Sequence, residues 1–158
     1  MKTLNNTDLD ILDHLQRDGR LTNSKLAVAL SLSETPCWRR LKKLEDDGYI
    51  ESYQANLDRR KLGYGVMAFI QLTYLEHDEE TTRQFEDVIQ NCENVLSCHN
   101  TTGEADFLLQ VVAKDLDDYS RFVDNVLRKL GGLSAIRSNI SLRELKSSTR
   151  LPIPREPT

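Results

Sequence analysis

The chain lacks what would mark a membrane, secreted or catalytic protein. No apolar run approaches the roughly 18 residues of a bilayer span, although 39% of the 158 residues are hydrophobic. The reading is a soluble cytoplasmic protein with neither a transmembrane helix nor a signal peptide. Cysteine is scarce: three, an odd number, with none in CxxC spacing, as fits free thiols in a reducing compartment. Phosphate-cradling glycine loops and nucleophile motifs are missing. Cys92, Cys98 and His99 lack a fourth ligand at structural-zinc spacing, and Cys92 falls on an apolar helical face. His14 and His77 sit in polar surroundings without an acid–base partner. No catalytic residue, metal or cofactor is therefore expected.

A basic excess is also lacking. The net charge is −4, which argues mildly against nucleic acid as a partner for the whole chain. Residues 1–60 carry ten Lys or Arg against ten Asp or Glu, and the remainder carries the deficit, eleven against fifteen. A neutral first part with one local basic face can bind DNA, but it has little long-range steering to spare.

That basic face is found in residues 33–48. Cys37, Leu41 and Leu44 share one side of a helix, while Thr35, Arg39, Lys42 and Lys43 share the other, with Trp38 and Arg40 on the flanks. Ser33 is placed to cap the helix, Pro36 lies in the first turn where its missing N–H does no harm, and Gly48 can take the left-handed conformation that ends it. The acidic run Glu45-Asp46-Asp47 opposes both the macrodipole and a phosphate backbone, so DNA should meet the N-terminal half. Taken alone, such a helix reads more readily as an ordinary surface helix with solvated Arg and Lys.

Its neighbours favour a reader of DNA. Thr7 is placed to cap a helix over residues 8–18 with Leu9, Ile11, Leu12 and Leu15 inward, and Thr22 to cap a short helix ending at Leu30. The turn Ser31-Leu32 leads into the third helix, as in a helix-turn-helix. Residues 49–57 are expected to form a strand or wing. The organisation expected is a winged helix-turn-helix domain over 1–57, a linker over 58–65, a second domain over 66–150 and an irregular tail over 151–158.

In the second domain Val66, Ala68, Ile70, Leu72 and Tyr74 alternate as a strand. Residues 81–92 have helical spacing, and 95–101 and 107–113 read as strands joined by a polar loop. Asp115 is placed to cap a helix whose apolar stripe runs from Leu116 to Leu130, and 136–145 is the last strand. The order βαββαβ is the ferredoxin-like arrangement, an α+β fold whose open sheet face needs cover.

These features together resemble the Lrp/AsnC family, or feast/famine regulators. The marks are Asp10-Ile11-Leu12, Asp18-Gly19-Arg20-Leu21-Thr22, Thr35-Pro36-Cys37-Trp38-Arg39-Arg40-Leu41 and Leu44-Glu45-Asp46-Asp47-Gly48-Tyr49-Ile50. Thr102-Gly103-Glu104-Ala105-Asp106-Phe107-Leu108-Leu109 and the ending Lys146-Ser147-Ser148-Thr149-Arg150-Leu151-Pro152 extend the likeness over nearly the whole chain. The resemblance implies a sequence-specific transcriptional regulator of double-stranded DNA, associated with the nucleoid. It also implies a homodimer that assembles to octamers and binds an amino-acid effector between dimers. The Trp after Pro-Cys resembles a subgroup linked to cysteine detoxification, which makes cysteine one candidate effector.

On this reading the DNA-binding residues are Ser33, Thr35, Pro36, Trp38, Arg39, Arg40, Lys42 and Lys43, with Thr35, Trp38 and Arg39 toward bases and Arg40, Lys42 and Lys43 toward phosphates. Trp38 has an alternative as an aromatic wedged between helices. The effector-binding residues are Thr101, Thr102, Gly103, Glu104 and Asp106. Gly103 amides and the threonine hydroxyls would take a carboxylate, and Glu104 or Asp106 an ammonium; the plain alternative is a β-turn. The competing functions are an architectural DNA-wrapping oligomer without a small effector and a small ferredoxin-like enzyme.

Overall fold

The computed structural model describes residues 4–75 and 79–154; His77 lies outside them. The chain divides into two compact units, one holding the residues up to Leu57 together with those from Lys146 onward, the other Asp58–Leu145. Among the described residues no helix is long and apolar enough to cross a membrane.

The first unit is built on helices α1 (Asn6–Arg17), α2 (Asn23–Ala29) and α3 (Glu34–Asp46). Ile11, Leu15, Leu26, Ala27, Cys37 and Leu44 form its buried core. Asn5, not Thr7, caps α1, its side chain accepting from the Asp8 N–H at 3.0 Å; asparagine serves this position at least as well as threonine, so the helix starts earlier than expected. Thr22 caps α2 as expected. Ser33 stands at the N-cap of α3 in extended conformation, yet its side chain makes no cap bond. Ser31 turns the chain between α2 and α3 with φ of 54°. Gly48 ends α3 with φ of 77°, and the Tyr49 N–H donates back to the Leu44 carbonyl at 2.9 Å.

Residues 50–57 form no strand, contrary to expectation. β-compatible residues make a strand only where a second segment supplies ladder partners, and this stretch pairs with no other described segment. Tyr53 instead donates its hydroxyl to the Glu45 carboxylate at 2.9 Å. Burial first, then that carboxylate, pushes the Tyr53 phenol up to about 12. Leu151, in the segment expected as irregular tail, is clasped by Gln16 of α1. The Leu151 N–H donates to Gln16 Oε1 at 2.9 Å, and Gln16 Nε2 donates to the Leu151 carbonyl at 3.0 Å.

The second unit contains β1 (Val66–Tyr74), α4 (Glu79–Gln90), β2 (Val95–Asn100), β3 (Phe107–Ala113), α5 (Leu116–Asn125), a 3₁₀ turn (Leu127–Lys129) and β4 (Leu133–Ile140). Its sheet order is β2-β3-β1-β4 with antiparallel pairing throughout. Ala68, Ile70, Leu72 and Tyr74 of β1 meet Leu109 and Val111 of β3 beneath Phe85 and Ile89 of α4 and Phe122 of α5. The continuous helix expected as far as Leu130 breaks after Asn125, where Val126 turns into the 3₁₀ segment. Leu116, expected inward, is exposed; packing of α5 on the core begins with Tyr119. β4 begins and ends earlier than the expected 136–145, because its partner β1 sets its length: Leu133 pairs with Tyr74, Ile140 with Ala68, and the Ser141 N–H makes a last bond to the Met67 carbonyl at 2.8 Å.

Residues 58–65, read from sequence as a linker, form a closed turn counted with the second unit. Asp58 accepts from the Arg60 and Lys61 N–H groups, and Arg59 donates to the Tyr64 and Gly65 carbonyls. Gly65 lies so close to β3's end that a Cβ there would stand 2.9 Å from the Lys114 carbonyl oxygen. Backbone on both sides cannot yield cheaply, so Gly65→Ala is expected to cost about 1–3 kcal/mol. A urea midpoint equal to the wild type's would contradict this.

Candidate DNA interface and effector loop

The outer face of α3 divides its basic residues into engaged and available ones. Thr35, Pro36, Trp38, Arg39, Lys42 and Lys43 are exposed, while Cys37 is fully buried and its thiol is pushed up by that burial. Trp38, at 54% exposure, is not wedged between helices. Arg40 is drawn back to α1, its guanidinium 2.8 Å from the Asp8 carboxylate. Lys42 lies 3.0 Å from Asp46 and 3.7 Å from Glu45, and its hydrogen bond to Asp46 holds its pKa above the usual lysine range. Arg39 and Lys43 make no ion pair among the described residues. The acidic C-terminal end of the helix thus occupies Lys42, and the available charge sits at Arg39 and Lys43.

The first turn of α3 is held from the start of α2. The Ser24 hydroxyl at the start of α2 donates to Glu34 Oε1 at 2.6 Å, and Asn23 Nδ2 donates to the Glu34 carbonyl at 3.0 Å. Nothing local in the chain announces this bond, since it joins residues on separate helices.

In the second unit the loop between β2 and β3 is a tightly braced hairpin end. The Thr101 N–H donates to the Asp106 carbonyl at 2.9 Å and the Thr101 hydroxyl to the Ala105 carbonyl at 2.7 Å. Asp106 Oδ2 accepts from the Tyr74 N–H at 2.7 Å. Burial, then the neighbouring Cys98 and Asp106, raises the Tyr74 phenol to about 12. Thr101 and Asp106, both expected to touch an effector, therefore hold the loop's own shape. Gly103 has φ of 129° and open space where a Cβ would stand. The Glu104 carboxylate meets Arg137 at 3.2 Å, the two side chains 92% and 67% exposed respectively. Thr102 is exposed beside them.

Arg137 was not singled out in the sequence. It lies on β4 opposite Gln71 of β1, and only the strand order brings it to Glu104, 33 residues earlier. A cleft of about 750 Å³ lies elsewhere in this unit, between α5 and β4, lined by residues including Tyr119, Val123, Asp124, Arg128 and Ile136 but by none of the loop. Cys92 and Cys98 pack against the second core. Burial, then Glu86, raises the Cys98 thiol. Among the described residues no group of three metal-ligating side chains occurs.

Comparison with known proteins matches both units. The family profile described as Lrp/AsnC ligand binding domain covers residues 67–151, and that described as winged helix-turn-helix DNA-binding covers residues 4–51. Leucine-responsive regulatory proteins of Klebsiella pneumoniae and Escherichia coli are 33% identical over 152 residues, covering 96% of this chain and 93% of theirs. A transcriptional regulator of Neisseria meningitidis, solved as a complex with L-Met, superposes with a TM-score of 0.91 at 39% identity, over 95% of this chain and 97% of that one. An AsnC family regulator of Agrobacterium tumefaciens superposes with a TM-score of 0.89 at 32% identity, over 94% and 97%.

Proposed function

The chain belongs to the Lrp/AsnC family, and from that premise, a DNA-binding transcriptional regulator with a ligand-binding domain and not an enzyme, we propose that an α-amino acid sets its DNA binding through the Glu104–Arg137 pair. That pair carries the reading. An amino acid bears an ammonium and a carboxylate a few ångströms apart, and a facing carboxylate and guanidinium are its complement. Because both partners are exposed, their mutual attraction is worth only about 0–1 kcal/mol. A ligand can part them cheaply, giving its carboxylate to Arg137 and the amides near Gly103, and its ammonium to Glu104. Thr102 adds a hydroxyl, while Thr101 and Asp106 hold the loop in position.

An apolar side chain on that amino acid is favoured over cysteine, since the related regulators carry leucine and methionine in their names and ligand. At the DNA, Thr35, Trp38 and Arg39 face bases, Lys43 faces phosphate, and Ser33 and Pro36 shape the entry of α3. Lys42 reaches phosphate from within its ion pairs, and Arg40 chiefly fastens α3 to α1 through Asp8.

The protein works as a homodimer or a larger assembly of dimers. On β1 the residues alternate with the buried ones, so Phe69 stands on the sheet face opposite the helices, where it remains 39% exposed; a second copy covers that face. Phe69→Glu is expected to lower the mass found by sedimentation equilibrium to that of the monomer, and an unchanged assembly would rule this interface out.

Calorimetric titration against the common amino acids tests the effector reading. One apolar amino acid should bind. Glu104→Gln and Arg137→Leu should each weaken it about tenfold or more, by loss of a charge-assisted hydrogen bond, with melting temperatures unchanged. Absence of binding by every amino acid would overturn the reading in favour of an architectural protein without a small effector.

A further inference from the structure

The bond between Ser24 and Glu34 fixes a carboxylate at the leading end of the helix that meets DNA. Glu34 is exposed in the first turn of α3, next to Thr35. Its Oε1 takes the Ser24 hydroxyl at 2.6 Å, its carbonyl takes Asn23 Nδ2 at 3.0 Å, and Oε2 has no partner among the described residues. The turn itself is fixed from behind by Ser31 in the left-handed region and by the Leu32 N–H donating to the Ala27 carbonyl at 2.9 Å. The Ser24 bond thus holds the acidic side chain, while the Asn23 bond and the tight turn hold the backbone that carries it at the leading end of the helix. The helix N-terminus favours the negative charge. A phosphate backbone opposes it.

A carboxylate at a DNA interface can only accept. It is repelled by the acceptors N7 and O6 of guanine and O4 of thymine, and it is matched by an exocyclic amine. In the major groove cytosine offers that donor at N4 without an acceptor of its own. We propose that Glu34 reads cytosine, one base pair in each half-site, with Ser24 as the positioning residue that aims the carboxylate. Glu34 trades general affinity for a restriction that Thr35 and Arg39 do not impose. This inference rests on the reading of α3 as the helix that enters the groove.

The test is selection from a randomised DNA library with full-length wild type, Glu34→Ala, Glu34→Gln, Ser24→Ala and Arg39→Ala. The wild type should show one position per half-site where cytosine is preferred about fivefold or more. Glu34→Ala should lose that preference alone and bind scrambled DNA more tightly, since a charge repelled by phosphates is gone. Glu34→Gln should turn the same position toward adenine, which glutamine can pair with at N6 and N7. Ser24→Ala should blur that position and no other. If Glu34→Ala selects the wild-type sequence while Arg39→Ala relaxes another position, Glu34 has no reading role and α3 still reads. If neither variant alters the selected sequence, α3 is not the reader and the inference falls with it.

Discussion

Phe85→Ala is expected to remove about 3–5 kcal/mol of stability from the second unit while leaving the first nearly untouched. Phe85 is 1% exposed, and its ring lies 4.5 Å from that of Phe107 and 5.8 Å from that of Tyr74. Truncation empties the contact between α4 and the strands that carry the loop around Gly103, and neighbouring strands cannot close the gap without breaking their register. The first unit has its own core, so the mirror experiment is Leu26→Ala, worth about 2–5 kcal/mol there. The single tryptophan, Trp38, reports on the first unit, and far-UV circular dichroism reports on both. In urea, Phe85→Ala should shift the dichroism midpoint more than the Trp38 fluorescence midpoint, and Leu26→Ala should do the reverse. Equal shifts in both probes for both variants would contradict separate cores.

Arg39→Ala is expected to weaken specific DNA binding by about 1–3 kcal/mol, roughly fivefold to a hundredfold, and to relax the preference at one base pair. The reason is availability. Arg39 makes no ion pair among the described residues, whereas Arg40 already holds Asp8 and Lys42 already holds Asp46 and Glu45. A guanidinium that is exposed on the outer face can fork onto guanine O6 and N7. Lys43→Ala should behave differently, weakening all sequences alike and lowering the salt slope of log affinity by about one. Arg40→Ala should act chiefly on stability, through the loss of a half-buried pair. Fluorescence anisotropy on specific and scrambled duplexes over a range of salt separates the three. Equal loss on both duplexes for Arg39→Ala would assign it to phosphate and not to a base.

What could be read from the chain, and what could not, divides by range. Period and punctuation are local, so the three helices of the first unit, the left-handed stop at Gly48, the cap at Asp115 and the order βαββαβ were all legible in advance. Competition between two good caps two residues apart, Asn5 and Thr7, is not decided by local preference. The end of β4 is not legible because its side-chain alternation continues past Ile140, whereas its pairing with β1 stops there, opposite Ala68. Residues 50–57 have strand-forming side chains but form no ladder with another described segment, and pairing is a tertiary property. The site followed the same rule. The basic face of α3 could be seen in the spacing, but the diversion of Arg40 to Asp8 spans 32 residues. The loop around Gly103 was visible as a turn, yet its own hydrogen bonds occupy Thr101 and Asp106. Arg137, which pairs with Glu104 of that loop, enters only through the strand order β2-β3-β1-β4.

The central claim is that an amino acid engaging Glu104 and Arg137 changes how α3 holds DNA. Coupling between two sites of one protein is ordinarily about 1–3 kcal/mol, a change of roughly five- to 150-fold in affinity. The direct measurement is anisotropy of a labelled duplex recovered by selection, titrated with wild type and with Arg137→Leu, each with and without saturating L-methionine as the probe. The amino acid is expected to shift the DNA dissociation constant of the wild type by about fivefold or more, and Arg137→Leu to bind the duplex normally but show no shift. An identical shift in wild type and variant, or none in the wild type, would contradict it.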